Sequence, residues 1–438
     1  MLDNLGSWRR THYTNQITEK ISGEEVTVFG WIHEIRDLGG IAFIILRDKE
    51  DEVQVTILKK NLSEKEKNKV KLLKREAVVG VKGTVKRSKI ARKGVEIILK
   101  EMKILNLAKT PLPIDTTGKI PASLDKRLNA RVLDLRLPDR RAIFKIHHTM
   151  TKAIRGYLTE KGFTEVFTPK ILATATEGGA ELFSVKYFER EAYLAQSPQL
   201  YKEALTSAFE RVFEIGQFYR AEESNTAYHL NEFISVDIEA AFAEAEDVMK
   251  ILEELIVYVI NTIRNENKNE IELLNKDLYT PRLPFKRITY NEAIEILQKS
   301  GIKVEWGEDL PTIANRVLGE KINEPFFIID WPIKLKPFYI KPKINDPKLS
   351  DAFDLNWSWL ELASGGTRVH DKNQLIERLK AQRLEPKKFE PFISYYDYGM
   401  PPHAGWAIGL QRLLMVITDR KNIREVTLFP REKDRLIP

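Results

Sequence analysis

The chain has 438 residues, of which 43% are hydrophobic and 30% charged, so it can bury a large core spread over two or three domains. Seventy Lys and Arg residues against 63 Asp and Glu residues give a net charge of +7, which favours polyanionic partners as much as it suits an ordinary charged surface. Cysteine is missing, which excludes disulfides, iron–sulfur clusters and any zinc site or nucleophile that needs a thiol.

The beginning of the chain, MLDNLGSWRRTHYTNQ, has no apolar region of the kind that a secretory signal requires. No segment approaches the roughly eighteen uninterrupted apolar residues that a membrane span needs. We therefore expect a cytoplasmic protein that makes no membrane contact.

Residues 1–107 contain five short apolar runs separated by glycines and charged turns, from EVTVFGWIHEI to GVEIILKEMKIL. A helix-like segment, SEKEKNKVKLLKRE, falls between the third and the fourth run. An OB-fold carries its helix at this point, and OB barrels commonly bind single-stranded nucleic acid. The pattern predicts an N-terminal OB-fold β-barrel over residues 1–107.

The next segment, residues 108–130, is rich in proline and is predicted to be a linker. From Asp139 to Lys161, apolar residues recur at three- and four-residue steps, which predicts an amphipathic helix closed by Gly162. A strand, FTEVFTPKIL, is predicted to follow. Alternating apolar runs and long helical segments beyond it predict an antiparallel sheet flanked by helices, so the fold class is α+β. The second domain is expected over residues 131–438, with an insertion at about residues 245–345.

Three segments far apart in the chain resemble, in order, the three signature motifs of the class II aminoacyl-tRNA synthetases. They are GFTEVFTPKI, FYRAEESNTAYHLNEFISVDIE and GWAIGLQRLLMV. Taken alone, the first is an ordinary helix–glycine–strand pattern, whereas the second is much more specific. The family uses the first motif as a dimer interface, so the resemblance implies a homodimer with Pro169 at its interface.

The resemblance also implies an ATP site with three catalytic residues. Arg220 would hold the α-phosphate, Glu222 would accept a hydrogen bond from adenine, and Arg412 would clamp the γ-phosphate. Alternation along a strand would place Arg220 and Glu222 on one face, although a surface salt-bridge ladder is the alternative. The glycines of the third motif, Gly405 and Gly409, would let the backbone approach the nucleotide. The implied ATP-binding residues are Arg220, Glu222, Tyr228, His229, Leu230, Glu361, Gly409 and Arg412; Tyr228 stands where many relatives carry arginine.

The segments ATATEGGAELF and AQSPQLYKEAL resemble the aspartate-binding loops of the aspartyl-tRNA synthetases of archaeal type. Lys202 and Arg368 would pair with the side-chain carboxylate of the substrate. Sister asparaginyl enzymes typically carry an uncharged residue where Lys202 stands, which favours aspartate. Glu177 and Asp237 would receive the α-ammonium group, which Gln199 would orient. The implied aspartate-binding residues are Glu177, Ser197, Gln199, Lys202, Arg220, Asp237, Ser364 and Arg368.

Asp354 and Glu361, with Ser364, resemble the magnesium-binding residues of the family, and two solvated acids are the alternative. The resemblance thus implies Mg²⁺ as the cofactor and ATP and L-aspartate as substrates. No phosphate loop of the Walker or Rossmann kind is present, so ATP has to be bound by this constellation.

In the predicted barrel, Phe43 and Gln54 match anticodon contacts of the family, an aromatic platform and an amide for a base edge, although Phe43 could instead be a core residue. His33 is associated with relaxed discrimination between tRNA-Asp and tRNA-Asn, whereas Arg92 departs from the proline usual in relaxed archaeal members. The implied anticodon-binding residues are His33, Phe43, Gln54 and Arg92. The expected function is an aspartate–tRNA ligase acting on tRNA-Asp, with tRNA-Asn left open. The alternatives are an asparaginyl-like or amino-acid-synthesising paralogue and an RNA-binding protein without catalysis.

Overall fold

The structure is a computed structural model that describes residues 2–173, 181–223 and 226–437. It divides into two compact units, Met1–Leu137 and Pro138–Pro438. Of the helices in these described ranges, none combines the length and the apolarity that crossing a bilayer requires.

The first unit contains the predicted five-stranded barrel, which is closed in the order β1-β2-β3-β5-β4. The strands are β1 (Glu25–Asp37), β2 (Ile41–Arg47), β3 (Glu52–Leu58), β4 (Val78–Arg87) and β5 (Val95–Asn106). Helix α1 (Glu64–Lys71) lies between β3 and β4 and begins with a capping box of Ser63 and Glu66. Alternate strand residues such as Val28, Ile44 and Val55 fill the interior. The OB-fold prediction is confirmed.

The segment predicted as a linker packs within the first unit, together with α2 (Leu124–Asn129) and α3 (Arg131–Asp134). This segment is held against the barrel by contacts with the buried carboxylate of Glu76. Glu76 accepts hydrogen bonds from the guanidinium of Arg47 at 2.8 Å and from the hydroxyl of Thr116 at 2.6 Å, and it pairs with Arg136. A buried carboxylate needs such partners, which explains why residues 116 and 136 belong to the barrel unit.

The second unit is built on an eight-stranded sheet in the order β12-β13-β14-β15-β16-β11-β10-β6, with a separate three-stranded sheet β7-β9-β8. Its strands are β6 (Thr164–Glu165), β7 (Ile171–Leu172), β8 (Ser184–Tyr187), β9 (Arg190–Leu194), β10 (Arg211–Tyr219), β11 (Glu232–Ala241), β12 (Lys286–Thr289), β13 (Phe326–Ile329), β14 (Ala352–Trp357), β15 (Leu360–Thr367) and β16 (His403–Gly409). Its described helices are α4 (Pro138–Glu160), α5 (Gln199–Phe209), α6 (Ala245–Glu266), α7 (Lys268–Leu273), α8 (Tyr290–Lys299), α9 (Thr312–Ile322), α10 (Lys372–Ala381), α11 (Glu390–Ile393) and α12 (Leu410–Thr418).

The sheet is antiparallel from β13 to β10, as predicted, and only its outermost pairs, β12–β13 and β6–β10, are parallel. Helices α4 and α6 pack their apolar faces into one core with the sheet, around the buried Trp406. Helix α4 follows the predicted periodicity, and Gly162 after it adopts a φ of +80°. The α+β class is confirmed.

The prediction of one continuous strand over FTEVFTPKIL is wrong. Only β6 and β7 are extended pairs there, and they join different sheets. Between them, Thr168 turns towards the buried Glu214, to which it donates from its backbone nitrogen at 3.2 Å and its hydroxyl at 2.7 Å. Pro169 follows without a backbone donor, so a ladder cannot continue through it.

Candidate active site

A cavity of about 310 Å³ opens over the middle of the large sheet, where β11, β15 and β16 lie side by side. It brings together most of the residues that the three motifs predicted. Those that line it are Ser197, Gln199, Arg220, Glu222, Tyr228, His229, Leu230, Asp237, Glu361, Ser364, Arg368, Gly409 and Arg412. Segments that are far apart in sequence therefore meet at one site.

Strand register explains the floor of this cavity. Asp354 on β14 pairs with Ser364 on β15, Ser364 pairs with Ala407 on β16, and Ala407 pairs with Asp237 on β11. Residues that are directly opposite in a sheet project from the same face, so these four side chains form one row. Because Ala407 is small, the row leaves room for a ligand between Asp237 and Ser364.

The sequence predicted that Arg220 and Glu222 lie within a strand. In the structure, both residues lie just beyond the end of β10. Strand β10 ends where Tyr219 pairs with Glu232. Asn231 then donates its side-chain amide to the carbonyl oxygens of Arg220 at 2.9 Å and Glu222 at 3.0 Å. This side chain takes over from the strand ladder and fixes the backbone of the segment whose side chains line the cavity.

Arg412 sits in the first turn of α12 and connects the second motif to β15. Its guanidinium donates to the carbonyl oxygen of Tyr228 at 3.4 Å and to that of Glu361 at 3.1 Å. The remaining donor positions of the guanidinium group can serve an anion in the cavity. Gly409, at the N-cap of α12, lines the cavity, whereas Gly405 does not. A side-chain carbon at Gly405 would collide with the carbonyl of Ile238 and the carboxylate of Glu239, and the approach of its backbone to the nucleotide stays a prediction.

Beneath the cavity lies a buried layer of paired charges. Lys202 has an exposed fraction of 2%, and its ammonium group lies 3.0 Å from Asp237 and 3.4 Å from Glu239. Arg368 donates to both oxygens of Glu239, at 2.9 and 3.3 Å. Arg368 reaches the cavity wall, but Lys202 lies behind Asp237 and is not part of the lining. Glu177, the other predicted ammonium partner, is outside the described residues.

The barrel unit has a cavity of its own, of about 670 Å³, which is lined by all four predicted anticodon residues, His33, Phe43, Gln54 and Arg92. Phe43 is half-buried between Ala42 and Ile44, which both point into the core, so Phe43 projects outward and is not a core residue. Gln54 donates to Glu96 at 2.8 Å, which orients its amide. His33 lies with Nδ1 2.9 Å from the guanidinium of Arg47, and since that group can only donate, Nδ1 accepts and Nε2 carries the hydrogen.

Comparison with known proteins gives the family of both units. A model of the class II tRNA synthetases for aspartate, lysine and asparagine matches residues 123–433. The chain belongs to this family. A model of the OB-fold nucleic-acid-binding domain matches residues 26–105, the barrel of this class II synthetase.

Relatives of this class II synthetase align over nearly its whole length. A protein named Aspartate--tRNA(Asp/Asn) ligase from Methanopyrus kandleri is 53% identical, covering 97% of this chain and 99% of that protein. One of the same name from Methanothermobacter thermautotrophicus is 49% identical over 99% of this chain and 100% of that protein. Among solved structures, the asparaginyl-tRNA synthetase of Pyrococcus horikoshii complexed with asparaginyl-adenylate superposes with a TM-score of 0.93 at 35% identity, covering 98% and 100% of the two chains. The aspartyl-tRNA synthetase of Entamoeba histolytica gives 0.86 at 30%, covering 98% and 92%.

The predicted metal ligands lie on a hairpin and not on one extended segment, because the chain turns between β14 and β15. Among the described residues, no group of three or more His, Asp or Glu side chains could hold a metal by itself. Asp354 and Glu361 nevertheless suit Mg²⁺, which takes one or two carboxylates and completes its shell with phosphate and water. Within the described part of the chain, Asp354 Oδ1 is buried and without a hydrogen-bond partner. Burial and the neighbouring Asp354 raise the pKa of Glu361 to about 7, so this pair would gain from a cation.

The sequence analysis missed several residues that line the cavity of this synthetase, among them Lys336 and Phe233. Lys336 donates to Asp354 at 2.6 Å, and nothing in its local segment IKLKPF distinguishes it from a surface lysine. Phe233 lies under the guanidinium of Arg220, 5.3 Å from the ring centre to that group. Its position in the second motif, one residue into β11, is the signal that could have indicated it.

His229 supplies a test of the electrostatics of this site. Burial, with the positive charges of Arg412 and Arg220, lowers the pKa of His229 to about 4, and its Nδ1 lies 2.7 Å from the hydroxyl of Thr226. In the unfolded chain the pKa is near 6.5, so the unfolded state binds more protons between these values. The free energy of unfolding should therefore fall as the pH drops from about 6.5 to about 4.

His229→Gln should remove this part of the pH dependence. The measurement is urea denaturation of both proteins at about pH 7 and about pH 4.5, with the wild type losing more free energy of unfolding than the variant. Equal losses in the two proteins would show that His229 is not held neutral by its surroundings.

Proposed function

We propose that this class II synthetase is an aspartate–tRNA ligase that acts in the cytoplasm on ATP, L-aspartate and tRNA-Asp. The observation that carries the amino-acid assignment is the layer beneath the cavity, where Lys202 and Arg368 are both buried against Asp237 and Glu239. Arg368 reaches the cavity wall with Lys202 behind it, and a guanidinium facing the amino-acid site favours a carboxylate side chain over a carboxamide. The relatives are named as ligases of aspartate, which supports the same assignment.

The two alternatives have less support. A non-catalytic RNA-binding protein has no need of a cavity in which the arginines and carboxylates of all three motifs meet. A paralogue that makes a free amino acid has no need of the barrel, and this chain keeps a barrel with its own lined cavity.

In the first step, an oxygen of the aspartate α-carboxylate forms a bond to the α-phosphorus of ATP. The bond to the bridging oxygen breaks, and the electron pair leaves with pyrophosphate. Arg220 in the cavity lining would stabilise the charge on the α-phosphate, while Arg412 would hold the γ-phosphate. No protein nucleophile is needed, because positioning and charge stabilisation suffice for this in-line reaction.

Asp354 and Glu361 would bind Mg²⁺, which when bound would neutralise phosphate charge. Ser364 lies directly opposite Asp354 on β15 and would complete the shell. Asp237 would receive the α-ammonium group, and Ser197 and Gln199 would border it. In the second step, the 3′-hydroxyl of the terminal adenosine of the tRNA attacks the carbonyl carbon of the aspartyl-adenylate, and AMP leaves.

We further propose that the enzyme charges tRNA-Asn as well as tRNA-Asp. The relatives named for both tRNAs support this, and so does His33 in the barrel cavity. The test is aminoacylation of separate tRNA-Asp and tRNA-Asn transcripts with labelled aspartate, ATP and magnesium. Product with both transcripts is expected, and charging of tRNA-Asp alone would contradict the relaxed specificity while leaving the ligase activity standing.

Phe43→Ala should weaken tRNA use selectively. Loss of an aromatic platform removes about 1–3 kcal/mol per stacked base, so the KM for tRNA should rise about tenfold to a hundredfold. Aspartate-dependent pyrophosphate exchange should not change, because the barrel cavity takes no part in it.

Tyr398→Ala, which removes an aromatic side chain that is 79% exposed in the second unit, is the matched control for Phe43→Ala. An unaltered KM for tRNA in the Phe43 variant would show that the barrel cavity does not bind the anticodon.

The last part of the proposal is a homodimer that uses the first motif. Pro169 is exposed next to Phe167, which has an exposed fraction of 80%. Pro169→Gly should raise the dimer dissociation constant measured by sedimentation, because the exposed segment loses its restricted backbone. Pro347→Gly, at another exposed proline, is the control, and identical dissociation constants for the two variants would count against this interface.

A further inference from the structure

A buried polar cluster lies beside the charged layer, and of its members only Gln199 has been given a part in the chemistry described so far. We call it the Glu203 cluster; it comprises Gln199, Glu203, Tyr396 and His403. Glu203 and His403 are completely buried. Glu203 accepts hydrogen bonds from the amide of Gln199 at 2.6 Å and from the hydroxyl of Tyr396 at 3.2 Å, and it lies 3.3 Å from Nε2 of His403.

Geometry determines the charge of His403. Its Nδ1 lies 2.7 Å from the carbonyl oxygen of Pro401, and its Nε2 faces the carboxylate of Glu203. A carbonyl and a carboxylate can only accept, so both ring nitrogens carry hydrogens and the side chain is an imidazolium. Burial alone would lower the pKa of His403, but the hydrogen bond and the charge of Glu203 raise it above its usual value.

This charge completes a balance in the layer beneath the cavity. Among the described side chains there, the carboxylates are Glu203, Asp237 and Glu239, and the cations are Lys202, Arg368 and His403. Arg368 feels the negative charge of Glu203 as well as that of its partner Glu239. Without the charge of His403, Glu203 would therefore reduce the positive potential that Arg368 presents to the cavity.

The cluster is also connected to the cavity directly. Gln199, which Glu203 holds through its amide, lines the cavity. The backbone nitrogen of Arg368 donates to the carbonyl oxygen of His403 at 2.9 Å, so the same residue is tied to the cation that reaches the wall. His403 is therefore linked to Gln199 through Glu203 and to Arg368 through the backbone, although His403 itself does not line the cavity.

We propose that His403 is a positioning residue for amino-acid selectivity, whose positive charge offsets Glu203 and thereby keeps the charge of Arg368 available for the side-chain carboxylate of the substrate. The inference rests on the amino-acid site proposed above. It assigns the Glu203 cluster to recognition of aspartate and not to ATP binding.

The test is a double-variant cycle in the aspartate-dependent pyrophosphate exchange of the full-length enzyme. His403→Gln leaves an uncompensated carboxylate and should raise the KM for aspartate about tenfold, which corresponds to about 1.4 kcal/mol, without changing the KM for ATP. Adding Glu203→Gln removes the carboxylate too, so Glu203→Gln/His403→Gln should recover most of the lost affinity for aspartate. His12→Gln, at a half-buried histidine of the barrel unit, is the matched control.

A merely structural role for His403 predicts the opposite pattern, because two lesions in one packed cluster would be worse than one. A double variant with a KM for aspartate as high as that of His403→Gln, or a KM for ATP that rises in parallel, would overturn the inference. Failure of the wild type to support any aspartate-dependent exchange would instead count against the proposed function.

A second measurement needs no variant at the histidine. Nitrogen-15 spectra of histidine-labelled wild-type enzyme at about pH 8 should show the signals of one imidazolium. These signals are assigned to His403 if their chemical shifts change in the Glu203→Gln variant. A singly protonated ring for that residue would overturn the inference even if His403→Gln did not fold.

Discussion

Arg412→Ala is expected to lower the rate of aspartate-dependent pyrophosphate exchange by about a hundredfold to a thousandfold, the usual cost of removing one donor that stabilises transition-state charge. The guanidinium of Arg412 bridges the carbonyl oxygens of Tyr228 and Glu361, so it lies between the second motif and the carboxylate proposed to bind magnesium. Its loss removes a fixed positive charge from the cavity, and alanine cannot replace it.

The fold of this variant should persist, because α12 is anchored by its apolar face, with Leu413 and Leu414 in the main core. Arg316→Ala is the matched control, since the side chain of Arg316 is 71% exposed on α9 and pairs only with Glu320 among the described salt bridges. Circular dichroism should be the same for both variants. Exchange at the wild-type rate in Arg412→Ala would refute the role assigned to this residue.

Lys202→Met should have the largest effect on stability, lowering the free energy of unfolding by about 3–5 kcal/mol. Methionine fills a similar volume but leaves Asp237 and Glu239, both buried, without the ammonium group that lies between them. Aspartate activation should be lost as well, because one of the two cations beneath the cavity is gone.

Lys299→Met is the control for this substitution, since the side chain of Lys299 is 78% exposed and its pairing with Glu295 contributes at most about 1 kcal/mol. Both variants are compared by chemical denaturation, and exchange is measured where circular dichroism shows a folded protein. A Lys202 variant as stable as the wild type would contradict the charge layer described above.

Elements with strong periodicity could be predicted from the sequence. Helix α4 and the five barrel strands follow the spacing of their apolar residues, because burial of one face decides both. The region around Pro169 could not be predicted in this way, since its turn depends on Glu214, a residue of a strand formed much later in the chain. The boundary after Leu137 depends in the same way on the contact of Arg136 with Glu76.

The candidate site shows the same division. Arg220, Glu222 and Arg412 stand in motifs whose order along the chain indicates them, and the structure brings them together. Lys336 and the pair of Glu203 and His403 have no local signal, because their partners come from other strands and helices. The position of Lys202 behind Asp237 follows only from how α5 packs against β11.

We propose that the cavity selects aspartate, although the asparaginyl-tRNA synthetase of Pyrococcus horikoshii has nearly the same fold. The most direct measurement is pyrophosphate exchange by the wild-type enzyme with aspartate or asparagine as the only amino acid. Exchange with aspartate and none above background with asparagine is the predicted result. Exchange driven by asparagine and not by aspartate would contradict the assignment of Lys202 and Arg368 and, with it, the proposed function.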